Sequence, residues 1–97
     1  IRDAVRLLRT EVERHPDHDE LRWNLALGLS GVGADDEAMA QLEQIVQRHP
    51  DHPRAWRNLA LLRQRRGHPG FREALERAIA LAPGDRELAA WAASLEP

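Results

Sequence analysis

Shifting the chain along itself until Arg14 meets Arg48 lays the RHPDH of residues 14–18 on the RHPDH of residues 48–52. The same shift lays Asn24-Leu25-Ala26-Leu27 on Asn58-Leu59-Ala60-Leu61, Pro16 on Pro50, and Gly33 on Gly67. Asn24 and Asn58 are the only asparagines in the chain, and they hold one repeat position. Between the matched blocks Arg22-Trp23 faces Trp56-Arg57, the same pair with its order exchanged. A next period closes at Pro83. It is shorter by one than the step from Pro16 to Pro50, and the loss falls near His68-Pro69-Gly70. A fixed period in the range of roughly 20–50 residues makes each repeat one supersecondary unit, whose apolar face is covered only by stacking on its neighbours.

Each period holds two helical patterns. Leu21, Leu25, Ala26 and Leu29 recur at three- and four-residue steps, as do Ala38, Leu42, Ile45 and Val46. Gly31-Val32-Gly33 interrupts the first pattern and Pro50 ends the second. Asp17 with Glu20 reads as a capping box, and Asp51 is expected to cap the equivalent helix, with Pro53 in its first turn. Asp35, Asp36 and Glu37 lie at a helix start, and Arg14, Arg48, Arg65 and Arg66 at helix ends, where each sign suits the helix dipole.

At this point the period resembles the tetratricopeptide repeat. Leu25, Ala26, Leu29, Gly33, Ala38, Leu42, Ile45 and Pro50 fill the family's signature places. Trp56, Leu59, Ala60, Gly67, Leu75, Ala78 and Pro83 do so in the second copy. Three residues depart from the pattern. Arg22 holds a place for a large apolar side chain. Arg63 holds a core place that Leu62 can fill by a small rotation. Phe71 replaces a small residue, which would splay its helix pair. The resemblance implies an all-α fold: a short right-handed α-solenoid of antiparallel helix pairs, with about six helices. Residues 2–15 read as the second helix of a preceding repeat, 17–50 and 51–83 as full repeats, and 84–97 as a last helix, a cap or the start of a third repeat. The whole reads as a single domain, 1–97, and a start at Ile1 within a helical pattern reads as a fragment of a longer protein.

The family's first helices line a concave groove that takes an extended peptide or a partner's helix. Carried onto this chain, the groove residues are Glu20, Trp23, Asn24, Leu27 and Ser30, then Arg54, Arg57, Asn58, Leu61, Gln64 and Arg65. An Asn amide both donates and accepts, so it can pair with an extended backbone. Arg54, Arg57 and Arg65 share a helical face and suit a carboxylate, from acidic side chains or a chain terminus. The resemblance to carboxylate-clamp members is partial, because the set of basic residues and asparagines is incomplete. The asparagines could instead bond a neighbouring helix. Trp56 and Trp91 read as packing residues. The implied function is a protein-interaction module. A structural or oligomerisation domain, or an accessory domain of a larger protein that could be an enzyme, stands beside it.

Composition removes other classes. The net charge of −2 gives no pull toward nucleic acid or an anionic membrane, and the RQRR run at 63–66 has no aromatic platform beside it. No run approaches the roughly 20 apolar residues of a membrane span. There is no Cys, and Thr10, Ser30 and Ser94 show no nucleophile motif, so no catalytic residue, cofactor or enzymatic activity is expected. The two His-x-x-His pairs invite a metal reading. One repeat separates equivalent loops by roughly 20 Å at 8–10 Å per packed helix, too far for one ion. No metal is expected, and RHPDH reads as the joint between repeats. All 14 basic residues are Arg, which points to a GC-rich, bacterial genome. The protein partner stays unnamed, self-association is an open alternative, and a soluble, cytoplasmic setting is favoured.

Overall fold

The computed structural model describes residues 2–95. Among them are six α-helices: α1 (Arg2–Arg14), α2 (Asp19–Gly31), α3 (Asp35–Arg48), α4 (Pro53–Arg65), α5 (Phe71–Leu81) and α6 (Arg86–Ser94). Their bounds follow the punctuation. The α2–α3 turn is made by Gly33 at φ 81° and the α4–α5 turn by Gly67 at φ 69°. Both are left-handed conformations that glycine adopts without a Cβ penalty. The hydrogen bonds also repeat. Gly33 N–H donates to Ser30 and Ala34 N–H to Leu29; Gly67 N–H donates to Gln64 and His68 N–H to Arg63.

The helix starts correct the expected caps. His18 and His52, not Asp17 and Asp51, are the N-cap residues. Both have extended backbones, and their Nδ1 atoms accept from the N–H three residues on: Leu21 at 3.3 Å and Ala55 at 3.1 Å. Asp17 lies one residue outside the helix, and its carboxylate turns toward Arg48 at 3.5 Å. An accepting Nδ1 requires the neutral imidazole, so the last histidine of each RHPDH is occupied in closing a helix. Replacing His52 by Ala is expected to cost ~0.5–2 kcal/mol in denaturant titrations, and His52→Asn to retain most of the cap. Equal losses in both variants would show that the ring packs rather than caps.

The chain divides into two compact units between Arg48 and His49. In the first, α2 packs on α3 and α1 packs on α2. Its core is Val5, Val12, Leu25, Ala26, Leu29, Ala38, Met39, Leu42, Ile45 and Val46. The close approach of α1 falls at Gly28, where an added Cβ would lie 3.1 Å from Val5 Cγ2. Arg9 ties α1 to α3 by donating twice to Glu37, at 2.7 and 2.8 Å. These bonds, and then the carboxylate's charge, hold the guanidinium above its usual range.

In the second unit, α4 packs on α5 and α5 on α6. Ala55, Trp56, Leu59, Ala60, Leu62, Ala74, Leu75, Ala78 and Leu88 form its core. Leu62 is buried, as the expected rotation requires. Arg63 is half-buried and donates to the Gly70 carbonyl at 3.1 Å, which fastens the α4–α5 connection. Phe71 opens α5 half-buried, with the Arg72 guanidinium 5.4 Å from its ring centre.

The exchanged Arg-Trp order has a plain role. Arg22 and Trp56 hold the same repeat position, and both donate to the carbonyl of the repeated proline. Arg22 Nη2 reaches Pro16 O at 2.8 Å, and Trp56 Nε1 reaches Pro50 O at 2.8 Å. Arg22 therefore does not break the first repeat. Its head group makes the bond that the tryptophan makes in the second repeat. Its Nη1 donates to Gln41 Oε1 at 2.7 Å.

Candidate interaction surface

The helical period that buries Leu25, Ala26 and Leu29 turns the opposite side of α2 outward. Glu20, Asn24 and Leu27 are exposed there, Leu27 by 43%, and Trp23 and Ser30 are half-buried. In the second unit α4 does the same. Arg54, Arg57, Leu61 and Arg65 are exposed, Leu61 by 47%, and Asn58 and Gln64 are half-buried. Each first helix therefore carries an Asn and, three residues on, an exposed leucine. Residues at that spacing are neighbours on a helix surface. Among the described residues neither Asn24 nor Asn58 shows a side-chain hydrogen bond. Trp56 is 9% exposed and belongs to the core, and Trp91 is half-buried.

Arg57 is already engaged within its unit. It donates to Glu87 Oε2 at 2.7 Å, and Asp85 Oδ2 lies 4.0 Å away. Asp85 also caps α6 by accepting from Glu87 and Leu88 N–H. Beside this pair Pro53, Arg54, Arg57, Ala82, Asp85 and Leu88 line an open pocket of about 120 Å³. Glu87 is absent from the groove residues carried over by resemblance. Carrying the groove positions onto the last helix as the start of a third repeat would have found it, since Glu87 stands one shortened period after Arg54. Arg57 thus already holds a carboxylate of its own chain through a charge-assisted hydrogen bond. Among the described residues no group of three or more His, Asp or Glu is placed to hold a metal ion. No described helix is long and apolar enough to cross a membrane.

The family model for the tetratricopeptide repeat matches residues 1–65. The chain belongs to the tetratricopeptide repeat family. Its all-α, helical-repeat architecture is that family's, and tetratricopeptide repeats are a protein-interaction fold. Among solved structures it is similar to YrrB, described as a tetratricopeptide repeat protein with an unusual peptide-binding site. The two superpose with a TM-score of 0.77 at 28% identity, over 91% of this chain and 45% of YrrB. This chain therefore spans less than half of YrrB's length. No match is found among curated proteins. The tetratricopeptide register accounts for the outward residues above, because it fixes which side of each first helix is left uncovered.

Proposed function

We propose that this tetratricopeptide repeat chain is a protein-interaction module that takes an acidic peptide or partner helix on the outward faces of α2 and α4. The observation that carries the reading is the recurrence of an unbonded Asn amide beside an exposed leucine, at 24/27 and 58/61. The amides suit a peptide backbone, the leucines its apolar side chains, and Arg54, Arg57 and Arg65 its carboxylates. A peptide-binding site in the similar protein YrrB supports it.

The test starts from affinity capture with the 97-residue chain, followed by binding titrations with the partner and its synthetic segments. Replacing Asn24, Leu27, Asn58 and Leu61 together by Ala is expected to weaken binding roughly 10–100-fold, about 1 kcal/mol per factor of five over a few centrally placed contacts. Arg54→Glu with Arg57→Glu is expected to weaken an acidic partner further and to flatten its salt dependence. Circular dichroism serves as the folding control. Unchanged affinity in both folded variants would place the partner elsewhere.

A further inference from the structure

Helix α4 carries four arginines and no acidic residue, so any charge that balances it comes from elsewhere in its unit. At Arg57 that charge comes from the start of α6. Arg57 Nη2 donates to Glu87 Oε2 at 2.7 Å, and Asp85 Oδ2 stands 4.0 Å from Nη1. Helices α4 and α6 each pack on α5. The link from Arg57 to Glu87 is therefore a bridge between side chains, and the open pocket of about 120 Å³ lies beside it.

The two acids are held differently. Asp85 is fixed in place, because its Oδ1 accepts from Glu87 N–H at 3.0 Å and Leu88 N–H at 3.1 Å and so caps α6. The Glu87 side chain is 79% exposed and leans out to Arg57. The pocket suits an acidic side chain in shape. Pro53, Ala82 and Leu88 offer apolar surface to its methylene stem, and Arg54 and Arg57 stand ready for its head group. In charge the site is balanced while Glu87 stays, since two guanidiniums face two carboxylates. An incoming carboxylate then meets no net attraction. Once Glu87 turns into solvent, Arg54 and Arg57 outweigh Asp85, and a bonding edge of Arg57 is vacated.

We propose that Glu87 is an internal occupant of a carboxylate site: it holds Arg57 in the free chain, and an acidic side chain of the partner takes its place. This rests on the acidic-partner reading above and adds a regulator to it. Displacement is cheap, because an exposed ion pair is weak, so Glu87 withholds roughly 2–5-fold in affinity rather than closing the site. It also sharpens selectivity. A partner with a neutral side chain here gains no bond that repays the loss of the Arg57–Glu87 pair, whereas a carboxylate replaces that pair like for like.

The test is a nuclear magnetic resonance titration of the 97-residue chain with a capped peptide of alternating Glu and Leu, and with its Gln–Leu counterpart. Glu87→Gln keeps the side chain's size and removes its charge, and circular dichroism checks the fold. This variant is expected to bind the acidic peptide roughly 2–5-fold more tightly than the wild type, and the neutral peptide no more tightly. Removing a negative charge also favours any anion through the general field. The same substitution is therefore made beside Arg57→Ala, where the field change persists and the pair does not, and no such gain is expected there. In the wild type the Glu87 carboxyl carbon is expected to move, as the acidic peptide saturates, toward its shift in Arg57→Ala. Where Arg57→Ala binds too weakly to titrate, that carbon decides alone. Equal affinities of wild type and Glu87→Gln, an equal gain without Arg57, or an unmoved Glu87 carbon overturn the proposal and leave the acidic-partner reading standing. An acidic peptide that binds neither wild type nor Glu87→Gln overturns both.

Discussion

Replacing Leu59 by Ala is expected to lower the unfolding free energy by ~2–5 kcal/mol, measured by urea titration followed by circular dichroism. Leu61→Ala, two residues along the same helix, is expected to cost less than about 0.5 kcal/mol. The contrast follows from burial: Leu59 is 0% exposed and Leu61 47%. Truncating Leu59 removes apolar contacts and leaves a cavity among Trp56, Ala60 and their neighbours that the packed pair fills only in part. Truncating Leu61 removes surface that faces water in the free chain. The larger loss is a substantial share of the ~5–15 kcal/mol that holds a typical domain together. Similar losses in the two variants would reverse the assignment of inner and outer faces on α4. The proposed interaction surface would fall with it.

The parts of this chain that were legible as sequence rest on backbone rules and apolar period. Gly33 and Gly67 mark left-handed turns, Pro50 marks a helix stop, and leucines and alanines at three- and four-residue steps mark the core. The parts that were not legible depend on where a side chain reaches. Asp17 and Asp51 have the preferred cap chemistry, but the helix begins one residue later, and a histidine Nδ1 stands at the right distance. Boundary shifts of one residue are enough to move a cap between neighbours. For the candidate surface, the residues named on α2 and α4 came from the resemblance, and they lie on the side opposite the buried stripe of each helix. It did not give the bond from Arg57 to Glu87 on α6. That bond joins helices one period apart, and nothing local to either residue signals it.

The exchanged pair shows the same distinction and leads to the second large effect. Trp56→Ala is expected to cost ~3–5 kcal/mol, the range for deleting a large buried ring. Three contacts are lost together: the ring's burial at 9% exposure, the 2.8 Å bond to the Pro50 carbonyl, and the ring face beneath the Arg77 guanidinium at 5.7 Å. Trp56→Phe keeps most of the bulk and deletes only the donor, so about 0.5–1.5 kcal/mol is expected. In the first repeat the same proline carbonyl is served by Arg22, which is half-buried and also holds Gln41. Arg22→Ala removes less apolar surface than Trp56→Ala, so a cost of about 1–2 kcal/mol is expected, from charge-assisted bonds at a partly wet site. The ordering Trp56→Ala, then Arg22→Ala, then Trp56→Phe, read from urea midpoints at constant slope, decides what this position does. If Trp56→Phe costs as much as Trp56→Ala, the proline bond matters more than the ring. Arginine and tryptophan would then be interchangeable here as donors alone. The expected ordering instead makes the donor the shared requirement of both repeats and the ring an added source of stability in the second.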